Sequence, residues 1–219
     1  MEQAIIDFFA GYAYEPVFVY LFIALFMMGS SMGLPLPEEV TLVGAGIVAH
    51  MASHPDLYPP PYPGAEGVSL IPLAIFCFVA AVGSDYIIFL TGKLYGKKIL
   101  KTKLGQRLLS PERFDKINHF FNKYSYWASG IFRFTPGIRF PGFLSCGMMG
   151  IPTWKFLLMD GGAALLTVPT QVVLVAIYGE VIMAKFTEFK IYILSFFGFI
   201  ILIWLVRKLI AYFKSKRIA

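Results

Sequence analysis

Apolar positions along this chain come in long runs broken by proline, glycine and isolated charges, with none of the ten-residue alternation that β-barrel strands show. The spanning elements are therefore expected to be helices, each needing about 20 predominantly apolar residues to cross a bilayer. Ala4, Ile5, Phe8, Phe9 and Tyr12 recur at helical spacing with Glu2 and Asp7 elsewhere on the turn, which predicts a short amphipathic helix at a membrane surface. Residues 16–37 carry no charge but end in GLPLPEE, where Gly33, Pro35 and Pro37 break a helix. Residues 40–55 follow, again uncharged and short for a full crossing. Two helical pieces around a break holding Glu38 and Glu39 read best as a re-entrant hairpin over about residues 16–55, with two spanning helices as the alternative.

The remainder of the chain continues the pattern. An extended Pro-rich loop is expected from SHPDLYPPPYPGAEG at 53–67, leading to a strong span over 68–92 that Asp85 interrupts near its far end. Residues 93–123 turn basic, with nine Lys/Arg against Glu112 and Asp115. Inside them Ser110, Pro111 and Glu112 form a helix start, and Phe114, Ile117, Phe121 and Tyr124 line one face of an expected interfacial helix. Residues 124–132 and 140–154 are apolar pieces too short to cross, on either side of PGIRFP, so a second re-entrant hairpin is expected over about 124–154. A span over 161–179, a mixed-charge loop at 180–190, and a last helix from 191 ending in the basic tail RKLIAYFKSKRIA complete the chain.

Charge orients these elements. Residues 1–92 contain no Lys or Arg and eight of the thirteen acids, so all nineteen basic residues lie in 93–219. Basic loops remain cytoplasmic, which places 93–123 and the C-terminus inside and the Pro-rich loop outside. The first half, 1–92, then enters from outside and leaves inside, whereas 124–190 does the reverse. The expected fold is one all-α polytopic membrane domain over 1–219. It is an inverted repeat of two Pro-broken re-entrant hairpins, each followed by a transmembrane helix, with amphipathic interfacial helices and, over 191–219, a C-terminal transmembrane helix with its basic tail. Transporters of this plan place their sites near the midplane, where the broken helices meet.

Composition narrows the function classes. Only 15% of residues are charged and 58% are hydrophobic, against about 25% charged in a soluble domain. The basic residues sit beside apolar spans, so membrane lipid headgroups are nearer partners than nucleic acid. With no basic n-region or small-residue cleavage site at its start, the chain is expected to lack a signal peptide. Cys77 and Cys146 have no metal-ligand spacing and are read as packing residues. His50, His54 and His119 lie apart from the arginines, a histidine-based phosphatase set is missing, and GxSG and HExxH are absent. No enzyme activity, metal or cofactor is therefore expected, and Asp160 and Gln171 are read as structural.

The candidate chemistry lies in FRFTPGIRFPGFLSCGMMG at 132–150. Arg133 and Arg139 could snorkel to headgroups or satisfy carbonyls freed by Pro136 and Pro141. An intramembrane arginine is by default a functional hypothesis, however. Arg139 lies just before Pro141 at the start of a half-helix, where free N–H groups and the helix dipole favour anions. Guanidinium adds bidentate hydrogen bonds to phosphate or carboxylate. Arg133, Arg139, Pro136 and Gly137 thus form an expected anion-binding set. Glu38 and Glu39 are either an ordinary dipole-stabilised helix start or carboxylates that pair with an arginine or carry a proton. Asp85 is a third candidate counter-charge.

These segments resemble a known family. PLPEEVTLVGAG resembles a hairpin motif written around P-G-E, and GSDYIIFLTGKLYG is similar to a following G-D-x-x-x-Y-x-x-G-like motif. FRFTPGIRFPGFLSCGMMGIPTWKF resembles R-F-x-P-x-x-R … G-x-x-x-M … F. Over about residues 30–180 the chain resembles the DedA family, which includes the eukaryotic VTT-domain proteins. The resemblance matches Glu39 to the family's acidic hairpin residue, Asp85 to its second acid, and Arg133 and Arg139 to its paired arginines. Glu38 stands where glycine is usual. The resemblance implies a bacterial inner-membrane protein that moves lipids between leaflets, with polyprenyl phosphate or phospholipid as substrate and protons as partners.

The expectation is therefore a lipid transporter in which Arg133 and Arg139 hold an anionic lipid headgroup while Glu39, Asp85 or Glu38 supplies proton coupling or counter-charge. A proton-coupled ion or drug transporter and a structural membrane protein are the alternatives, and a homo-oligomer is left open.

Overall fold

Pro16 at the first helical position begins helix α1 (Pro16–Ser31), and two glutamates in the first turn favour the start of α2 (Glu38–Ala52). In the computed structural model, the residues described are 8–32, 38–99, 117, 119, 124, 127–135 and 139–183. The other helices that carry the fold are α3 (Leu70–Ile99), α4 (Trp127–Arg133), α5 (Arg139–Met148) and α6 (Thr153–Ile177), with no strand among the described residues. Described residues up to Ile177 form one compact unit. Those from Tyr178 belong to another, in which residues 179–183 are helical.

Helices α1 and α2 are 16 and 15 residues long, or roughly 24 and 22 Å, short of a hydrocarbon core about 30 Å thick. They form a helical hairpin. At its open end the Val68 N–H donates to the Ala13 carbonyl at 2.9 Å, and the Tyr14 hydroxyl donates to the Tyr58 carbonyl at 2.6 Å. Gly67 packs there against both Ala52 and Tyr14. The Pro-rich loop is thus folded into turns rather than extended, with Gly64 in the left-handed region at φ 88°. At the closed end, Ser31 reaches the middle of α3 at Ser84 and Asp85, and Glu38 meets the same arginine, Arg133, that Asp85 holds.

Helix α3 is the axis of the unit. Its 30 residues put Asp85 roughly 22 Å from either end. One face, including Leu73, Cys77, Ala81, Asp85 and Phe89, is fully buried, while Ile71, Ile75 and Val79 are exposed. Apolar side chains facing outward, with the face's one carboxylate turned inward, suit a chain solvated by lipid. The span expected over 68–92 instead continues to Ile99, because lysines are good helix formers and extend α3 rather than ending it. Helix α6 similarly starts at Thr153, before the expected 161, and continues through Pro169. Leu70–Gly96 and Thr153–Ile177 are both long and apolar enough to cross a membrane.

The second hairpin approaches from the opposite end of α3. Helix α5 runs parallel to α3, from Arg139 beside Asp85 to Met148 beside Gly96. Their backbones nearly touch: a Cβ on Gly92 would overlap the Leu144 carbonyl, and one on Gly147 would overlap the Phe89 carbonyl. At this end Lys93 Nζ donates to Thr153 Oγ1 at 3.1 Å. At the other end His50 Nδ1 lies 2.7 Å from the Ala176 carbonyl, and Gly46 lets α2 close on Val172 and Val175. Helices α3 and α6 are therefore antiparallel.

The proline breaks at 33–37 and 136–138, residues 1–7 of the N-terminal helix, and the last helix at 191–206 with its tail lie outside the described residues, as does most of the helix expected from Ser110, of which Ile117, His119 and Tyr124 are described and helical. Of the N-terminal helix, residues 8–12 are helical as expected. Cys77 and Cys146 are buried and free, as packing residues would be.

Candidate functional site: a buried ionic cluster where the hairpins meet

Both hairpins end at the same place, and the groups that meet there are charged. Arg133 closes α4 and Arg139 opens α5, so one proline break separates two cations that face the middle of α3. Pro141 lies in the first turn of α5, as the sequence predicts. From Arg133, Nη1 donates to Asp85 Oδ2 at 2.8 Å and to Asp160 Oδ1 at 3.2 Å, while Nη2 donates to Glu38 Oε1 at 3.0 Å. From Arg139, Nη2 donates to Asp85 Oδ2 at 2.5 Å, and Nη1 pairs with Glu38 Oε2. Glu38 and Asp85 thus each bridge both guanidinium groups. Ser31 Oγ adds a hydrogen bond to Asp85 Oδ1 at 3.1 Å and touches Ser84 Oγ at 2.7 Å.

Burial sets the energetics. Asp85 and Asp160 are 0% exposed and Glu38 is 7% exposed. Charges out of water cost several kcal/mol each unless paired and hydrogen-bonded, which explains why five helices and the tip of α1 converge on them. On the side towards Lys93 the cluster rests on an apolar floor of Phe89, Phe132, Phe143 and Phe156. The Phe89 and Phe156 rings stack at 4.3 Å, and Phe143 meets Phe156 edge-on at 5.3 Å. Two cations against three carboxylates leave one acid in excess.

The structure corrects one expected placement and adds a residue. Glu38, not Glu39, meets the arginines, whereas Glu39 is exposed. Adjacent helical residues point about 100° apart, so only one of the pair can face the cluster. Asp85, Arg133 and Arg139 are brought together as expected. Pro136 and Gly137 lie outside the described residues. Asp160, read from sequence as structural, contacts Arg133. A signal for it existed: Phe156, Asp160, Ala164, Val168 and Val172 recur every fourth residue and form the buried stripe of α6. Glu38→Gln is expected to lower stability by about 3 kcal/mol, and Glu39→Gln to stay within about 0.5 kcal/mol of the parent. Denaturation of the purified protein in detergent would check both.

Two membrane-length helices and a largely buried ionic cluster, with no strand among the described residues, are the features of a helical membrane protein. Comparison with known proteins gives the family. The VTT domain family model matches residues 36–178, and the chain belongs to this family, the DedA family of membrane proteins. A Haemophilus influenzae protein described as an uncharacterized membrane protein is 28% identical over 173 residues, covering 78% of this chain and 73% of the relative. A Borreliella burgdorferi protein described as an inner membrane protein is 30% identical over 186 residues, covering 84% and 80%. A Mycobacterium bovis membrane protein is 30% identical over 146 residues, covering 65% and 61%. No solved structure matches the chain.

Proposed function

We propose that this protein is a non-enzymatic transporter of the bacterial inner membrane that moves a phosphate-bearing lipid, a polyprenyl phosphate or a phospholipid, between leaflets. The observation that carries the reading is the sharing of Glu38 and Asp85 by arginines on both sides of one hairpin break. Two guanidinium groups on one anionic surface are a ready receptor for a phosphate, which offers the same acceptor geometry as the carboxylates now held. A headgroup would bind by displacing those carboxylates. Each displaced acid would then be buried without a cation and would take a proton, which links lipid binding to proton uptake.

The two short hairpins are read as re-entrant, one from each side, and the antiparallel α3 and α6 as the crossing helices of an inverted repeat. With 93–123 and the C-terminus in the cytoplasm, the arginine hairpin opens inward and the α1–α2 hairpin outward. Exposed Glu39 sits beside buried Glu38 at the hairpin tip, which supports water reaching this depth from one side, since lipid would not tolerate it.

Proteoliposomes carrying fluorescent phospholipid or polyprenyl phosphate test the reading. The wild-type protein should move one of them between leaflets, and Arg139→Ala should slow the movement at least about tenfold, the equivalent of losing about 1.4 kcal/mol of stabilisation. Wild-type rates in a folded Arg139→Ala variant would sink the headgroup role. Movement of a drug or ion down a pH gradient, with no lipid moved, would favour the proton-coupled alternative.

A further inference from the structure

We propose that Asp160 is a proton-carrying residue of the cluster, neutral when the two hairpins are closed on each other. The place of this proton in transport rests on the function proposed above, but its existence does not. The argument is a count of donors. Asp85 receives Arg133 and Arg139 on Oδ2 and Ser31 on Oδ1. Glu38 receives one arginine on each oxygen. Both are therefore fully engaged as ionised carboxylates. Asp160 has a single bond, from Arg133 Nη1 at 3.2 Å, and that donor also serves Asp85 at 2.8 Å. Its Oδ2 is buried with no partner among the described residues.

An ionised carboxylate with an empty, fully buried oxygen is an expensive arrangement. A carboxylic acid with its hydroxyl at Oδ2 is a cheaper one, and it brings the cluster to neutrality, two cations against two anions. The groups that act on Asp160 from the surrounding helices are Glu38 on α2, Asp85 on α3, Arg133 on α4, and Arg139 and the Cys146 thiol on α5. Among these only the arginines favour its charge, and both are already held by the other two acids. When a headgroup draws Arg133 or Arg139 away from Glu38 and Asp85, the proton on Asp160 can pass to one of the displaced acids, and the new Asp160 carboxylate can hold the remaining guanidinium. The proton returns to Asp160 on closure, so atoms and charge balance without a further reactant.

Asp160→Asn mimics the neutral acid, and the test compares it with Asp85→Asn in the purified full-length protein at neutral pH. Asp160→Asn should melt within about 2 °C of the wild type, whereas Asp85→Asn should melt about 6–12 °C lower. Infrared spectroscopy should show the carbonyl stretch of a protonated carboxyl group in the wild type, with a shift in heavy water, and that band should vanish in Asp160→Asn. An Asp160→Asn variant as unstable as Asp85→Asn would overturn the proposal, because it would make Asp160 an obligatory ionised counter-charge. So would absence of the band from the wild type, or its persistence in Asp160→Asn. Neither measurement involves lipid, so failure here would leave the transport reading to be decided by the liposome assay.

Discussion

Replacing Arg133 with alanine should cost about 3–5 kcal/mol of stability, the range for removing one partner of a buried ionic group. Among the described residues Arg133 is the one cation that touches all three acids, Glu38, Asp85 and Asp160, so its loss strips a partner from each of them. Arg139 still reaches Glu38 and Asp85 after that change, but no cation contact to Asp160 remains among the described residues. Arg133→Lys should recover only part of the loss. An ammonium carries the charge, yet it lacks the planar fork that serves Glu38 through Nη2 and the two aspartates through Nη1. Reversible unfolding in detergent, read by tryptophan fluorescence, would rank wild type above Lys and Lys above Ala. Equal stability of the alanine variant and the wild type would mean that the cluster is not the closed arrangement described.

The second large effect belongs to Gly147. Its Cα faces the Phe89 carbonyl and the Lys93 amide nitrogen, both backbone atoms of α3 that cannot rotate away. Gly92 makes the reciprocal approach to Leu144. A methyl group at 147 must therefore separate α3 from α5, which would also draw Arg139 away from Asp85 at the other end of the short helix. Overpacking costs typically 1–3 kcal/mol when side chains can adjust, and with backbone on both sides Gly147→Ala is expected at about 3 kcal/mol or above. Gly83 on α3 has nothing within 4 Å of its would-be Cβ, so Gly83→Ala serves as a neutral control. Paired melting curves of the two variants would check the contrast.

Much of this arrangement is legible from the chain because its main terms are one-dimensional. Proline breaks, apolar run lengths and isolated charges locate the short helices α1, α2 and α5, and the arginines flanking PGIRFP mark where the chemistry concentrates. The rotation of a helix about its axis is not one-dimensional. Glu38 and Glu39 are adjacent, similar and both acidic, and what separates them is which way α2 faces α4. The family resemblance pointed to Glu39, because it records positions in a motif rather than contacts in space. Asp160 was under-read for another reason: it is 27 positions from Arg133, and nothing in linear order joins them. Its place in the four-residue stripe of α6 was the available clue. Helix ends moved as well, since Lys93 and its neighbours continue α3 although their charge suggested a connector.

The missing cations of the first 92 residues have a consequence for biogenesis. Glu38 and Asp85 are both synthesised ahead of the basic residues of 93–219, and the first described cation that reaches either of them is Arg133, 95 and 48 positions later. The early half thus enters the membrane with a debt of positive charge that it cannot settle internally. The late half is not so constrained, because Arg133 can meet Asp160 within it. Dependence between the halves is one-sided: nascent residues 1–92 must wait for the arginines, whether by staying hydrated at the insertion site or by holding protons, before their hairpin can close.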